Sequence, residues 1–340
     1  MLVARMKARS AARLAGTRRN GKINNSGIFS LYPHGAGCNR VADFRDAMAA
    51  TGITPPDEII ADGQLHRFAS NGKPRDNAGW YIYFDGAFPA AGFGCWRMGI
   101  NETWRAKNSH EFTPEEKRAY AARMHNIRNQ RAVEEMKRHA DAAQLAERIW
   151  NTARPAPSDH LYLLANRVQP HGLRVYAGSL VVPLKNGGLH SLQFIAGDGT
   201  KKFLTGGRVS GCAFSIGKLN GTLCVAEGFS TGASIYESSG HAVAIAFNAG
   251  NLLPVVKAIR AKFPELRLIV CADDDIGTAG NPGRTKAAEA ALAVGGRVAL
   301  PDFGADRPDG ATDFNDLHRL RGKEAVRHCI ENSIGVSRDD

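Results

Sequence analysis

Short apolar runs alternate with amphipathic stretches along residues 221–300 of the chain. Runs of this length are typical of buried strands, and the stretches between them carry apolar residues at helical spacing. The predicted strands are Leu223–Ala226, Ala242–Phe247, Leu266–Ala272 and Arg297–Leu300, and the helices between them are Gly232–Ser238, Leu252–Lys262 and Arg284–Val294. Apolar strands that alternate with helices predict an α/β domain whose sheet is mostly parallel and covered on both faces.

The chain ahead of this region predicts a small antiparallel α+β module and a long helix. Within residues 36–112, a short helix at Val41–Thr51 precedes an aromatic strand at Gly79–Phe84, which ends in an Asp-Gly turn. Residues 113–116 read Thr-Pro-Glu-Glu, which is a helix start with a threonine N-cap and a proline at the first helical position. We therefore predict a helical linker over residues 113–153.

A stiff proline-rich segment, Arg154–Pro157, predicts the boundary between this part and the C-terminal half. Residues 158–220 then contain a short predicted helix, His160–Arg167, and two strands, Ser179–Leu184 and Leu189–Ile195, joined by an Asn-Gly-Gly turn. A length of 340 residues is consistent with two or three domains.

The charge of the chain favours a polyanionic partner. The formal net charge is +11 and the isoelectric point is near 9.5. A soluble protein with a basic surface and no such partner would have the same balance. Residues 1–35 are basic and are predicted to form a disordered arm. The same composition is typical of a mitochondrial transit peptide, and it would also arise from sequence upstream of the true start.

The cysteines and the apolar runs exclude several classes of protein. The six cysteines form no CxxC pair, so we expect no zinc site, and free thiols in a reducing cytoplasm are the best interpretation. No apolar run is long enough to span a bilayer, so we expect no membrane partner.

Acidic side chains follow two of the predicted parallel strands. Glu227 comes directly after the first strand, and Asp273 and Asp275 come after the third. Function in such sheets lies at the carboxyl ends of strands, and alternation points Asp273 and Asp275 to the same side. Carboxylates that converge there are suitable ligands for Mg²⁺. An acidic turn that caps helices is the alternative for one strand end, but two such ends in one α/β unit favour a metal site.

These residues resemble the Toprim family. Leu223–Gly228 and Cys271–Asp275 match its glutamate after one strand and its DxD after a later one. Further segments resemble Toprim primases of phages and plasmids, and they are His66–Phe68, Gly79–Tyr81, Ala246–Gly250, Asn281–Gly283 and Thr312–Leu317. The resemblance implies a Toprim fold over residues 221–335, a primase-core-like subdomain over residues 158–220, and a contribution of Asp313 and Asp316 to the metal site.

Two departures from the larger primases are visible. The chain has no CxxC pairs for the N-terminal zinc ribbon of replicative bacterial primases. It also has no Walker A loop, because Gly211–Lys218 has one spacer residue too many and Leu219 replaces the serine or threonine. The resemblance is therefore to a stand-alone catalytic unit, with any helicase supplied as a separate partner.

The resemblance implies a primase that copies single-stranded DNA from nucleoside triphosphates by phosphoryl transfer with Mg²⁺ or Mn²⁺. Asp273 and Asp275 would hold the metal ions, and Glu227 would complete the site or assist proton transfer. Six basic residues are candidates for binding phosphates or template, although each is individually typical of an ordinary surface charge, and they are Lys201, Lys202, Arg208, Lys218, Arg284 and Lys286. A bacterial cytoplasmic protein, or one encoded by a phage or plasmid, is expected.

Two other functions use the same sequence features. A Toprim nuclease would use the same acids to hydrolyse a phosphodiester, and a replication accessory protein would only bind DNA through its basic face. A topoisomerase is disfavoured, because nothing in the sequence identifies a separate strand-passage domain with its tyrosine. The mutual position of the three acids separates the accessory protein from the two enzymes.

Overall fold

The computed structural model of the chain describes residues 40–73, 76–86, 89–106 and 113–335, and the predicted basic arm over residues 1–35 lies outside them. The chain divides into two compact units, Met1–Arg123 and Met124–Asp340. Within the described ranges, no helix is both long and apolar enough to cross a membrane.

The first unit contains one helix and one antiparallel sheet. Helix α1 spans Arg40–Ala50, and strands β1 to β4 follow at His66–Phe68, Gly79–Phe84, Ala90–Cys95 and Ile100–Arg105. Phe44 and Met48 of α1 are fully buried and lie in one apolar cluster with Tyr83 and Phe93 of the sheet. The predicted small antiparallel α+β module is therefore observed.

Helix α2 spans Pro114–Thr152, within one residue of the predicted linker at each end. Its start is a capping box, because the Thr113 N–H donates to the Glu116 carboxylate and the Glu116 N–H donates to the Thr113 hydroxyl. The division between the units falls inside this helix, after Arg123, and not at the predicted boundary of Arg154–Pro157.

Packing explains why the chain does not divide at the proline-rich segment. Residues Arg154–Pro155 form strand β5 at the edge of a sheet in the second unit. The Arg174 guanidinium of that sheet donates to the Trp150 carbonyl and lies 4.5 Å from the centre of the Trp150 ring. Ala146 of α2 is fully buried against Val181 and Leu192 of the sheet. The second half of α2 is therefore part of the second unit.

The second unit begins with an antiparallel sheet in the order β5-β6-β7-β8-β9. Strands β6 to β9 span Arg174–Tyr176, Ser179–Asn186, Gly188–Ile195 and Lys201–Phe203, and helix α3 spans Leu161–Asn166 between β5 and β6. One face of this sheet, with Val182 and Ile195, belongs to the main core of the unit. The opposite face, with Val181 and Leu192, packs on α2.

The second sheet of this unit has the order β10-β12-β11-β13-β14. Its strands β10 to β14 span Phe214–Ile216, Thr222–Ala226, Ala242–Ile245, Arg267–Cys271 and Arg297–Ala299. Strands β11 to β14 are parallel, and β10 is an antiparallel edge strand on β12 that the sequence did not predict.

Helices cover both faces of the second sheet. Helices α4 to α8 span Phe229–Ser239, Ala249–Lys262, Pro282–Ala293, Phe314–Arg321 and Lys323–Gly335. Helices α5 and α6 contribute Leu252, Val255, Ala287 and Ala290 to the cluster on one face, whereas α4, α7 and α8 pack on the other. The predicted mostly parallel sheet with helices on both faces is confirmed, and the two last helices are additions to the prediction.

Candidate active site

The site lies where the order of the parallel strands reverses. Strand β11 is flanked by β12 on one side and by β13 on the other, and Val225 pairs with Val270. The carboxyl ends of β11 and β13 therefore lie side by side, and the crevice outside them is the usual ligand site of such sheets. Glu227 directly follows β11, and Asp273 and Asp275 follow β13.

The acids at this edge influence one another electrostatically. Burial and the neighbouring charge of Asp275 raise the pKa of Glu227 to about 7. Burial, together with the charges of Asp313, Glu227 and Asp275, raises the pKa of Asp273 to about 8. The three predicted catalytic acids and Asp313 therefore influence one another's protonation at this edge of the sheet.

Two oxygens of these acids are buried without a hydrogen-bond donor, and they are Glu227 Oε1 and Asp273 Oδ1. Buried carboxylate oxygens that lack a donor fit a divalent cation with a preference for hard oxygen ligands. Across the described ranges, no three Asp, Glu, His or Cys side chains are drawn together around one point as a finished metal site.

Asp275 is held by the start of helix α6. The Gly283 N–H donates to Asp275 Oδ2 over 3.2 Å, and the Asp275 N–H donates to Asn281 Oδ1 over 2.9 Å. A Cβ atom at Gly283 would lie 2.6 Å from the Asp273 carbonyl oxygen and 2.9 Å from Asp275 Oδ2. Glycine is therefore required for this close approach, which gives the Asn-Pro-Gly motif a structural reason.

Asp274 has a different role from its two neighbours. Its carboxylate accepts hydrogen bonds from Asn281 Nδ2 and from the Arg307 guanidinium, which also donates to the carbonyls of Asp274 and Ala311. Burial alone would raise the pKa of Asp274, but the bonds from Asn281 and Arg307 hold it below its ordinary value. Arg307 thus joins the loop after β13 to the loop that precedes Asp313, and sequence reasoning missed it.

Asp313 and Asp316 form the N-terminal capping box of helix α7. Asp313 Oδ1 accepts the Asp316 N–H over 2.8 Å, and Asp313 Oδ2 accepts the Thr231 hydroxyl over 2.7 Å. Burial raises the pKa of Asp313, although these two hydrogen bonds oppose the change. Asp316 Oδ2 accepts the Thr312 N–H over 2.9 Å, so the Asp316 carboxylate binds a backbone donor. Asp313 is the member of this pair that acts on Asp273, and Thr231 is a site residue that the sequence did not indicate.

Two of the six predicted basic residues lie at this edge of the sheet. Lys201 Nζ lies 3.7 Å from the point where a Cβ atom of Gly228 would stand, and its charge lowers the pKa of Asp273 against the stronger effects of burial and the acids. Arg284 is exposed in the first turn of α6, and its charge contributes to lowering the pKa of Asp274.

The other four basic residues have contacts or positions of their own. Lys202 points to the opposite face of β9 from Lys201, because side chains alternate along a strand. The Arg208 guanidinium donates to the Ser210 carbonyl, and Lys286 forms an exposed ion pair with Glu289. Lys218 follows β10, whose end lies beside the start of β12, so it lies at the amino edge of the parallel strands.

Comparison with known proteins identifies relatives of this chain. Residues 222–324 match the model of the Toprim domain. Two DNA primases TraC from Escherichia coli are 34% identical over 284 residues and 32% identical over 328 residues, covering 77% and 88% of this chain. The chain spans only 26% and 22% of their lengths.

Solved structures of primases are also similar to this chain, at low sequence identity. The DnaG primase catalytic domain bound to ssDNA matches with a TM-score of 0.41 and 13% identity over 58% of this chain and 80% of that chain. The Aquifex aeolicus primase, with its zinc-binding and RNA polymerase domains, matches with a TM-score of 0.34 and 15% identity over 84% of this chain and 83% of that chain.

Proposed function

Because the chain carries a Toprim domain and is homologous to primases of the plasmid type, we propose that it is a DNA-directed primase. It would join nucleotides into short primers on single-stranded DNA by metal-dependent phosphoryl transfer. The observation that carries the proposal is the group of acids at the carboxyl ends of β11 and β13, with Glu227 Oε1 and Asp273 Oδ1 buried and without donors.

The acids would have distinct tasks in this reaction. Asp273 and Asp275, with Asp313 beside them, would hold Mg²⁺ or Mn²⁺. A metal ion held there supplies positive charge that stabilises the oxygens of the phosphoryl group in the transition state. Glu227, directly after β11, would complete the metal site or assist proton transfer at the attacking 3′-hydroxyl. Asp316 would contribute by capping α7 and so fixing Asp313.

The partners follow from the same site. Lys201, at the mouth of the acidic crevice, would bind a phosphate of the nucleoside triphosphate or of the template, and Arg284 is a second candidate. The net charge of +11 supports a nucleic-acid partner. We also propose a separate helicase as a partner. We further propose a bacterial protein under plasmid or phage coding, located in the cytoplasm, where thiols such as those of Cys95, Cys212, Cys224, Cys271 and Cys329 stay reduced.

One reaction mixture separates the candidate functions. Purified protein is incubated with end-labelled single-stranded template, ribonucleotides labelled differently, and either Mg²⁺ or Mn²⁺. Short products that carry the nucleotide label and require the template support primer synthesis. Shortening of the template label supports a Toprim nuclease instead. A shift of the template on a native gel without either product would leave only a DNA-binding protein and would contradict the proposal.

A further inference from the structure

An exposed aromatic side chain lies close to the acidic site. Phe203 of β9 is 38% exposed, and its ring is 6.1 Å from the ring of Phe247 in an edge-to-face arrangement of 70°. Phe247 is buried and follows β12 at the same edge of the sheet as Glu227. The pair forms an aromatic platform, defined here as Phe203 and Phe247.

Strand β9 places the platform and the lysine of the site on one face. Lys201 and Phe203 are two residues apart, so they point to the same side at a separation of about 7 Å along the strand. Ile195 pairs with Lys201 and lies in the same core cluster as Phe247, which identifies this side as the one that faces the Toprim sheet. Lys202 points to the other side. Lys201 Nζ lies 3.7 Å from the point where a Cβ atom of Gly228, the neighbour of Glu227, would stand, so this face of β9 carries a lysine beside the acidic site and an aromatic ring two residues further along.

Phe247 is held in an unusual backbone conformation. Its φ is +74°, in the left-handed region that bulky residues rarely adopt, and such strain is concentrated at functional sites. The surrounding loop fixes it: the Ala246 N–H donates to the Ala226 carbonyl, and Asn251 Nδ2 donates to the Ala246 carbonyl. The N–H of Ala249, two residues after Phe247, donates a hydrogen bond to the Glu227 carboxylate. The loop therefore ties the platform to a catalytic acid.

We propose that the aromatic platform stacks on the base of the nucleotide whose phosphates lie between Lys201 and the acidic site. This deepens the proposed primase function and rests on it for the identity of the ligand. A nucleotide has a π-face at one end and phosphates at the other, and the face of β9 presents an aromatic ring and a cation in that order. Every base has a π-face, so stacking on Phe203 tolerates any of the four bases.

The test compares two ligands that differ by the nucleoside. Binding of ATP and of inorganic tripolyphosphate to the full chain is measured by calorimetry in the presence of Mg²⁺. Phe203→Ala should weaken ATP binding about 5- to 100-fold, the range that corresponds to loss of one stacked base, and should leave tripolyphosphate binding unchanged. Phe203→Trp should restore ATP binding, because an aromatic face is retained.

Phe263 offers a matched control. It is also 38% exposed and lies 5.3 Å from a lysine, Lys262, but it ends α5 at the amino edge of the sheet. Phe263→Ala should leave binding of ATP unchanged. Because Phe203 is partly exposed, we expect Phe203→Ala to remain folded, and unchanged tripolyphosphate binding by the same sample checks this.

Three results of the ATP and tripolyphosphate titrations would overturn the proposal. They are equal affinity of wild type and Phe203→Ala for ATP, equal loss for ATP and tripolyphosphate, and wild-type binding of ATP no tighter than that of tripolyphosphate. A loss confined to a single-stranded oligothymidylate would assign the platform to the template and would equally overturn it. Primer synthesis is not needed for any of these measurements. Stacking of ATP on Phe203 in a protein that makes no primers would contradict the primase function and support the platform.

Discussion

Replacing Asp273 by asparagine is predicted to stabilise the metal-free protein near neutral pH. Burial and three neighbouring carboxylates raise the pKa of Asp273 from 3.8 to about 8. The folded state therefore retains a proton that the unfolded state has lost between these two pH values. Because the unfolded chain binds fewer protons in this window, the contribution of Asp273 lowers stability as the pH rises from about 4 to 8.

The magnitude follows from the same values. At pH 7 the separation from the unfolded pKa of 3.8 is roughly three pH units, and at about 1.4 kcal/mol per unit the ionisable group disfavours folding by at most about 4 kcal/mol. Asparagine has nearly the same volume but leaves a buried amide, which offsets about 1–3 kcal/mol of the gain. We therefore expect a net stabilisation of about 1–3 kcal/mol for Asp273→Asn at neutral pH.

Thermal unfolding in EDTA at pH 5 and pH 8 measures this effect. The midpoint of Asp273→Asn should exceed that of wild type at pH 8, by about 2–4 °C per kcal/mol, and the difference should shrink at pH 5. Added Mg²⁺ should raise the midpoint of wild type through preferential binding to the folded state, and it should do so much less for the variant.

Asp274→Asn is the matched control, since the neighbouring carboxylate has the opposite environment. Asp274 is paired with Arg307, so its removal should destabilise the protein by about 1–3 kcal/mol at pH 8. The reasoning is refuted if Asp273→Asn is less stable than wild type in EDTA at pH 8, or if both substitutions change stability in the same direction.

Three further predictions concern the rest of the second unit. Burial would raise the pKa of Glu237, but hydrogen bonds from His171, Gln169 and Lys323 hold it at about 2, so it contributes stability that is complete above pH 4.5 and lost as the pH falls towards 2. Glu237→Gln should cost about 1–3 kcal/mol at pH 7 in thermal unfolding and nothing near pH 2, and an equal cost at both pH values would contradict this. Gly283→Ala should lower the free energy of unfolding by about 1–3 kcal/mol because of the 2.6 Å contact with the Asp273 carbonyl, whereas Gly277→Ala, which meets nothing within 4 Å, should not. Similar shifts of the thermal midpoint for both variants would count against the close approach. A fragment of residues 124–335 should fold alone. A fragment of residues 158–335 should be less stable, because it lacks Ala146 and Trp150. Equal thermal midpoints of the two fragments would instead support the boundary predicted from the sequence.

Local patterns predicted the elements around the acids well. Each strand from β11 to β14 is a short apolar run between helices, and strands buried on both faces have that pattern wherever they occur. The rule that function lies at carboxyl strand ends then indicated Glu227, Asp273 and Asp275 together, and the structure places them at neighbouring strands.

The contacts that complete the site depend on distant segments, and no local pattern reports them. Arg307 lies in a turn-rich loop and meets Asp274, 33 residues earlier. Phe203 lies in β9, and Phe247 follows β12 of the other sheet of the second unit. Lys201 and Lys202 are alike in sequence, and only the pairing of β9 with β8 shows which of them faces Asp273.

The position of Lys218 in the fold could not be predicted from the sequence either. It precedes Glu227 by nine residues, and the sequence made it a candidate for binding phosphates or template. Strand β10, which was not predicted, runs antiparallel to β12 and carries the following loop to the opposite edge. A three-residue edge strand has too few positions to show a period.

Primer synthesis by wild type and Asp273→Asn, measured side by side on the same single-stranded template with Mg²⁺, tests the central claim most directly. The matched control is Glu324→Gln, which removes an exposed carboxylate paired with Arg327 on α8. We predict template-dependent short products from wild type and from Glu324→Gln, and none from Asp273→Asn, with unchanged template binding for all three proteins. Wild-type product yield from Asp273→Asn, or no product from the wild-type chain under any metal condition, would contradict the assignment of this site to primer synthesis.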